Sequence, residues 1–175
     1  MILPLIYYGN GLLRTRSEQV KHVDQEIKQL CLDMIETMDA NNGIGLAAIQ
    51  VGRPLRIITI RAVLEDENGK SYLGEAEVFI NPILSSPNDL TEVLSEGCLS
   101  IPGLHFDVER PTSIHIDALD IEGKKVSKKV FGFKAREVMH ENDHLNGVLF
   151  IDRLLAKKRK EIEPLLREIK EKYNN

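Results

Sequence analysis

The sequence has few cysteines, no excess of positive charge and no long hydrophobic run. Its two cysteines, Cys31 and Cys98, fall short of the dense, paired set of a secreted domain, so we expect a reducing compartment. The net charge of −4 argues against direct, sequence-specific binding of nucleic acid, which requires a basic surface. No apolar run approaches a membrane span, and the stretch MILPLIYYGNGLL lacks the basic start of a signal peptide. These absences together predict a cytoplasmic protein with no membrane partner.

The length and the hydrophobic pattern predict one domain. With 175 residues the chain is long enough to bury a core without disulfides and short enough for a single domain, residues 1–175. Apolar residues at helical spacing predict an N-terminal helix over residues 24–38, and a second helix is predicted over 133–145, which Gly147 ends. The charged tail, residues 156–175, is predicted to be a third helix, which Pro164 limits or kinks.

Strand patterns occupy the middle of the chain. Alternating or continuous apolar runs predict strands at LRIITI (55–60), EVFINP (77–82), LHFDVER (104–110), SIHIDALDI (113–121) and VSKKVF (126–131). The polar stretch at 65–77 is expected to be an exposed loop or hairpin, and Pro82 is expected to end its strand. Because several alternating strands follow one another, we predict antiparallel sheets in an α+β fold with an N-terminal and a C-terminal helix.

The stretch HENDH, residues 140–144, has the spacing of a metal site on a helix. His140 and His144 are about one helical turn apart, so that both imidazoles emerge from one face and can meet one ion. Glu141 stands beside them and can take a proton from a metal-bound water, as in the HExxH arrangement. The alternative is a solvated helix in which these polar residues stand together by chance.

Two histidines are too few ligands for an anchored site, and three sources of a third are open. The extended pattern HExxHxxGxxH would need a histidine where the sequence has Phe150. Glutamates follow in the lysine-rich tail, where such charges are typical of a solvated helix: Glu161, Glu163, Glu168 and Glu171. Cys98, in the loop-like stretch SEGCLSIPG, can supply a thiolate, a good ligand for zinc or ferrous iron. Taken alone, such a cysteine is usually structural or inert.

The glycine-rich stretch GIGLAAIQVG, residues 43–52, predicts a close approach of its backbone to a substrate or to another segment. It lacks the third glycine of a dinucleotide-binding loop and the Gly-Lys-Ser/Thr of a phosphate loop. Gln50 is the only side chain in residues 43–50 with a strong hydrogen-bonding group. The alternative interpretation of Gln50 is the cap of a strand start.

Three motifs, GIGLAAIQ (43–50), EGCLS (96–100) and HENDH (140–144), together resemble the signature of the peptide deformylase family, written GxGxAAxQ, EGCxS and HExDH. All fixed positions agree, and so do the order and the approximate spacing, so that the resemblance covers roughly residues 3–170. It implies antiparallel sheets around a central helix that carries HExxH. It also implies a hydrolase that removes the formyl group from the N-terminal formyl-methionine of new polypeptides and releases formate.

The resemblance implies a metal centre and a general base. The ligands would be Cys98, His140 and His144, which hold one divalent ion with water at its open position. Ferrous iron is the expected ion in the cell, and zinc, nickel or cobalt would replace it in preparations. Glu141 would act as the base while the metal-bound water attacks the formyl carbon, and then as the acid towards the leaving amine.

The resemblance also implies the groups that bind the substrate. Gln50 and the backbone N–H of Leu99 would stabilise the carbonyl oxygen as it becomes an oxyanion. Ile44 would line the pocket for the methionine side chain, and Gly45 and Gly97 would contact the substrate through their backbone.

Three further positions depend on comparison with the family or on their neighbours. Met139 stands where many members have glutamine, and we expect it to pack or to support a ligand. His105 lies where some relatives carry an arginine, so no peptide contact is assigned to it. Glu96 is expected to pair with Arg110 and brace the segment that carries the cysteine, the alternative being a surface carboxylate.

Partners and alternative functions follow from the same residues. Nascent N-formylmethionyl peptides are the implied substrates, and the basic residues at 157–160 are interpreted either as a ribosome contact or as a solvated helix surface. An HExxH zinc protease is one alternative, against which Phe150 and Cys98 argue. A non-catalytic metal or ribosome-binding module is another, but a structural site usually has four protein ligands and the sequence offers three candidates.

Overall fold

The computed structural model describes residues 1–173, which form seven strands and four α-helices. The strands are β1 (Gly45–Ala47), β2 (Ile57–Glu65), β3 (Ser71–Ser85), β4 (Thr91–Cys98), β5 (Ile101–Pro111), β6 (Ser113–Leu119) and β7 (Lys125–Phe131). The helices are α1 (Gln25–Ala40), α2 (Gly132–His144), α3 (Ala156–Glu161) and α4 (Glu163–Tyr173). Short 3-10 turns are found at Gly11–Arg14, Ala48–Val51 and Phe150–Arg153. Across this described part of the chain, no helix is long and apolar enough to cross a membrane.

The strands form two antiparallel sheets. Five of them pair in the order β1-β2-β3-β6-β7, and β4 and β5 form a separate hairpin. An apolar sheet face must be covered by another layer of structure, and helices provide it here. This arrangement confirms the predicted α+β class, with antiparallel sheets and helices towards both ends of the chain.

Helix α2 is the central element, because it packs on the large sheet and also contacts the β4–β5 hairpin. Its apolar residues Val138 and Met139 join Ile58 and Phe79 of the sheet in one buried cluster. Met139 is thus a packing residue, which was one of the two roles expected for it. The helix is fixed on its apolar side, while its side chains Arg136, His140 and Asp143 contact residues of the hairpin.

Helix α1 packs its apolar stripe against β1 and β2. Asp24 caps its start, because the carboxylate accepts a hydrogen bond from the Ile27 N–H at 3.0 Å. Cys31 is fully buried in the cluster beneath the helix, and burial raises the pKa of its thiol to about 12. This thiol therefore stays protonated and serves as a small core residue.

The region around β3 agrees with one expectation drawn from the sequence and departs from another. Residues 65–77 are predicted to be an exposed loop or hairpin, and the hairpin is confirmed, because β2 and β3 pair across a short turn that begins after Glu65. Pro82 does not end the strand, because the register of β3 against β6 shifts between Ile80 and Ile83. A residue at such a bulge need not donate a ladder hydrogen bond, so β3 continues through the proline.

The tail forms two helices where one is predicted, because the chain turns at Ile162 between α3 and α4. Pro164 lies in the first turn of α4, where its missing N–H is not needed. Ile162, Leu166 and Ile169 are buried against the hairpin and the segment after α2, so this part of the tail belongs to the core. Residues 174–175 of the predicted helix lie outside the described residues.

Candidate metal centre

The Cys98 side chain lies at the end of a strand rather than in a loop. The sequence indicates a loop around it, but Glu96 and Gly97 pair with β5, and only Leu99 and Ser100 separate the two strands. The register shifts between Gly97 and Cys98, which changes the course of the strand at this point. The Cys98 Sγ then faces α2.

Helix α2 brings His140 and His144 to the same place. The Cys98 Sγ lies 3.2 Å from the His144 Nε2, and the possible ligand atoms of all three residues lie within 4.8 Å of one another. No other group of three such side chains is found within residues 1–173. One thiolate and two imidazoles are a ligand set that leaves a position open on zinc or ferrous iron. The residues therefore fit one divalent transition ion.

The other proposed sources of a third ligand lie elsewhere. Phe150 is buried, and its ring centroid lies 5.9 Å from that of His140, so it packs against a candidate ligand and offers no ligand atom itself. The four glutamates of the tail are exposed on α3 and α4 and do not join the group. Of the three candidates, the geometry leaves Cys98.

Behind the ligands, Glu96 holds His140 by its Nδ1, which lies 2.9 Å from the Glu96 Oε2. This contact orients the ring and leaves its Nε2 available to an ion. Arg110 donates to the same carboxylate at 2.6 and 2.9 Å, and Arg136 donates at 2.8 Å. Burial alone would raise the pKa of Glu96, but hydrogen bonds with Arg110 and His140 lower it to about 2. The predicted pairing of Glu96 with Arg110 is confirmed.

The network continues through Asp143 in the last turn of α2. Its carboxylate accepts hydrogen bonds from Arg110 at 2.9 Å and from the Nε and Nη2 atoms of Arg153, both at 2.6 Å. Arg110 is 2% exposed, so its charge depends on Glu96 and Asp143 rather than on water. Sequence reasoning misses Arg136 and Asp143, although their position about one helical turn from a predicted ligand is a usable signal.

The two histidines differ in proton affinity. Burial lowers the pKa of His140, but hydrogen bonds with Cys98 and Glu96 outweigh it and raise that pKa well above the usual value. Burial also lowers the pKa of His144, and the charges of His140 and Arg110 lower it further. His144 therefore presents a neutral ring, and the negative groups around His140 favour a cation there.

Glu141 carries a carboxylate suited to hold and release a proton. It is buried, and its Oε2 has no hydrogen-bond partner in the part of the chain that the structure describes. Burial raises its pKa to about 8, and burial likewise raises the pKa of Glu137, one turn earlier, to about 7. A Cβ at Gly45 would lie 2.3 Å from the Glu141 Oε1, so only glycine admits the carboxylate beside β1.

Gln50 lies in the 3-10 turn after β1, with its amide group beside Cys98. Its Nε2 lies 3.4 Å from the Cys98 Sγ and donates to the Ser100 Oγ at 3.1 Å, while its Oε1 accepts from the Ala47 N–H at 2.8 Å. The residue is 1% exposed, so these contacts fix its orientation. Leu99 lines the same cavity, in the turn that follows the cysteine.

A cavity of about 560 Å³ opens beside these groups. The three residues predicted to contact the substrate all line it: Ile44, Gly45 and Gly97. Tyr7 and Tyr173 line it as well, and nothing in the sequence patterns predicts either of them. His105 is a further wall residue, and a Cβ at Gly97 would lie 2.5 Å from its Nε2. Glycine at position 97 therefore makes room for the imidazole.

An HExxH helix packed on antiparallel sheets, with an acid beside the metal-binding side chains, defines the class of metal-dependent hydrolases. The family model described as polypeptide deformylase matches residues 2–160. The chain therefore belongs to the polypeptide deformylase family, and it is a hydrolase that removes the formyl group from newly synthesised polypeptides. The family is metal-dependent, which agrees with the cluster of one cysteine and two histidines.

Individual relatives agree with the family assignment. The chain is 44% identical to a peptide deformylase from Pelagibacter ubique over 161 residues, which make up 92% of this chain and 91% of that protein. The crystal structure of peptide deformylase from Ehrlichia chaffeensis matches with a TM-score of 0.89 and 36% identity, covering 99% of this chain and 98% of that one. A Met-Ala-Ser-bound class I type b peptide deformylase from Acinetobacter baumannii matches with a TM-score of 0.81 and 32% identity, covering 88% of this chain and 99% of that one.

Proposed function

We propose that the chain deformylates N-formylmethionyl peptides at the group formed by Cys98, His140 and His144, which holds one divalent transition ion. One observation carries the proposal: ligand atoms from the end of β4 and from α2 lie within 4.8 Å of one another, beside the buried Glu141 carboxylate. An ion bound there supplies Lewis acidity and lowers the pKa of water. Because zinc generally outcompetes iron at such sites, availability decides the ion. We propose ferrous iron in the cell and zinc, nickel or cobalt in preparations.

Glu141 is proposed to move the proton. In the reaction, water adds to the formyl carbon, the C–N bond breaks, and formate and a free α-amine are released. Glu141 takes a proton from the attacking water and later passes it to the departing nitrogen. In the chain without an ion, burial raises its pKa to about 8, and a cation held beside it would lower that pKa towards the range in which the carboxylate takes up and releases a proton near neutral pH. Its unpartnered Oε2 is the oxygen that would accept this proton.

Gln50 and the backbone N–H of Leu99 are proposed to stabilise the negative charge that develops on the formyl oxygen. The Gln50 Nε2 lies beside the ligand set, 3.4 Å from the Cys98 Sγ. The hydrogen bond from Ala47 to its Oε1 keeps the amide from turning round. A fixed donor of this kind typically contributes about 100- to 1,000-fold in rate.

Ile44, Gly45 and Gly97 are proposed to bind the substrate, since all three line the cavity. The glycines let the backbone approach a peptide closely, because they carry no side chain. Ile44 offers an apolar surface to the methionine side chain.

The basic residues of α3 are proposed to contact the ribosome, which would place the protein in the cytoplasm. Lys157, Lys158 and Lys160 are exposed in this helix and close to one another. Replacing Lys157 and Lys160 by glutamate should weaken cosedimentation with ribosomes. The same change at Lys124 and Lys125, exposed in the β6–β7 hairpin, is the control. Equal sedimentation of both variants would identify α3 as an ordinary solvated surface.

Formate release from formyl-Met-Ala-Ser tests the proposed function. Wild-type protein loaded with ferrous or nickel ion should release formate, and Glu141→Ala should lower the rate by about 100-fold or more. Glu168→Ala, which removes an exposed carboxylate of α4, should leave the rate unchanged. Absence of formate with loaded wild-type protein would contradict the proposal. Cleavage of casein without formate release would instead favour an HExxH protease.

A further inference from the structure

The cavity at the metal centre is larger than the reacting group requires. Its volume of about 560 Å³ lies within the range of about 300–1,000 Å³ that encloses whole ligands, so it can hold residues after the formyl-methionine. Its walls include Tyr7 and Tyr173, to which the proton transfer at Glu141 assigns no role. These two residues belong to distant parts of the sequence, and the fold brings them together at the cavity.

The rings of Tyr7 and Tyr173 form a stacked pair, here called the tyrosine stack. Their centroids lie 4.2 Å apart and their planes are inclined by 25°. Both residues are partly exposed and line the cavity, and the Lys172 Nζ lies 5.1 Å from the centroid of the Tyr173 ring. A tyrosine offers a flat apolar face with a polar edge and few rotatable bonds, so holding it against a peptide costs little entropy.

Backbone hydrogen bonds fix Tyr7 to the elements that carry the reaction centre. The Ile6 N–H donates to the Gln50 carbonyl, and the Tyr8 N–H donates to the Ser100 carbonyl, both at 2.8 Å. Tyr7 is therefore held between the turn that carries the proposed oxyanion donor and the turn after the metal-binding cysteine. The position of its ring is tied to the position of the reacting carbonyl.

Tyr173 continues the buried stripe of α4. Leu166, Ile169 and Tyr173 recur at intervals of three and four residues, which places them on one face of the helix. The first two are buried, and Tyr173 packs against the same cluster, which includes Ile101 and Phe150. The helix is thus anchored to the hairpin and to the segment after α2. Tyr173, the one aromatic residue of this helix, lines the cavity wall.

We propose that the tyrosine stack is a specificity-determining surface that contacts the peptide residues after the formyl-methionine, so that helix α4 takes part in substrate recognition. The inference rests on the proposed function only in taking an N-formylmethionyl peptide as the substrate. A longer peptide contacts the stack through the residues after the formyl-methionine. A substrate that consists of formyl-methionine alone is too short to make this contact. Neither tyrosine takes part in proton transfer or in stabilising the negative charge of the reaction. The contribution of the stack to binding should therefore change KM and not kcat.

The test compares KM for formyl-Met-Ala-Ser with KM for formyl-methionine amide. Tyr173→Leu keeps apolar packing but removes the flat ring, and it should raise KM for the longer substrate by about three- to ten-fold. KM for the amide and kcat for both substrates should change by less than about two-fold. Tyr173→Phe should resemble the wild type. Tyr72→Leu, at an exposed tyrosine of β3 that does not line the cavity, is the matched control.

Two outcomes would overturn the inference. An unchanged KM for the longer substrate would show that the peptide does not contact the stack. An equal rise for both substrates would show that the stack only supports the fold. Thermal unfolding verifies that each variant is folded, and Tyr7→Leu tests the other ring with the same expected result if Tyr173→Leu is unstable. Formate release by the wild type tests the proposed function separately, because the inference depends only on the ratio of the two KM values.

Discussion

The surroundings of α2 and the tail formed by α3 and α4 contain the same kinds of charged residue but use them differently. Near α2, Glu96, Arg110 and Arg136 are 5%, 2% and 2% exposed, and all of them belong to one hydrogen-bonded network behind the proposed metal ligands. In the tail, Lys158 and Glu161 lie 3.6 Å apart with side chains 50% and 51% exposed. Burial is the main physical difference between the two sets.

The difference shows that burial decides how much a charged side chain contributes to stability and to the orientation of its neighbours. A buried charge depends on its partner because water no longer solvates it, so its geometry is held firmly and it can orient a side chain such as His140. An exposed pair is solvated with or without its partner and contributes little. The tail is held instead by apolar side chains such as Leu166. Four changes test this contrast.

Arg110→Met should have the largest effect on stability. It removes the guanidinium that joins the carboxylates of Glu96 and Asp143, which keep only Arg136 and Arg153, and breaking such a buried pair typically costs about 3–5 kcal/mol in the free energy of unfolding. Urea denaturation measures this loss. Arg167→Met, at an exposed arginine of α4, is the control and should change stability by less than about 0.5 kcal/mol. Similar values for the two variants would contradict the network's role.

Leu166→Ala should produce the next largest loss, because it empties part of the cluster that anchors α4. A buried leucine replaced by alanine costs about 2–5 kcal/mol. Its neighbour Leu165 is 41% exposed, so Leu165→Ala should cost less than about 1 kcal/mol. The two variants are compared by urea denaturation. Equal losses in the free energy of unfolding would mean that the buried residues of α4 do not anchor the tail more strongly than its exposed residues.

The substitution Glu96→Gln should destabilise the fold at neutral pH but have little effect in acid. The pKa of Glu96 falls from 4.5 to about 2 on folding, so its carboxylate stabilises the fold above pH 4.5 and stops doing so as the pH falls to about 2. In metal-free protein, wild type should therefore be more stable than the variant at neutral pH. The difference should shrink as the pH is lowered through this window. Urea midpoints at several pH values measure it, and a difference that grows in acid would oppose the account.

The pair of Lys158 and Glu161 should have the smallest effect. A double-mutant cycle with alanine at both positions should give a coupling energy of no more than about 1 kcal/mol. Added salt should reduce even this value, because exposed charges are screened. A larger coupling that resists salt would mean that exposed pairs of the tail behave like those near α2.

The sequence predicts an element of the fold well when its apolar side chains are the buried ones. Helices α1 and α2 are predicted within a few residues, α1 because its apolar residues recur at helical spacing and α2 because Gly147 marks the end of its helix. Strand β4 is missed because Val93 is 58% exposed while Glu96 is buried, the reverse of the expected pattern. Pro82 is misread because a bulge depends on pairing with β6, which is distant in sequence.

The candidate site shows the same limit. Two of the three sequence motifs name the cysteine and the histidines proposed as metal ligands, because each motif is contiguous and its chemistry is visible in the residue types. The role of Asp143 depends on Arg110, and that of Tyr173 depends on Tyr7. Such partners are brought together only by the packing of the hairpin, α2 and α4.

The central claim is that Cys98, and not Cys31, completes a metal site with the two histidines of α2. Metal content per chain in anaerobically purified protein tests it most directly, with both cysteines changed to alanine in separate variants. The account predicts about one ion per chain in the wild type and in Cys31→Ala, and a loss of the ion in Cys98→Ala. A full complement of metal in folded Cys98→Ala would contradict it.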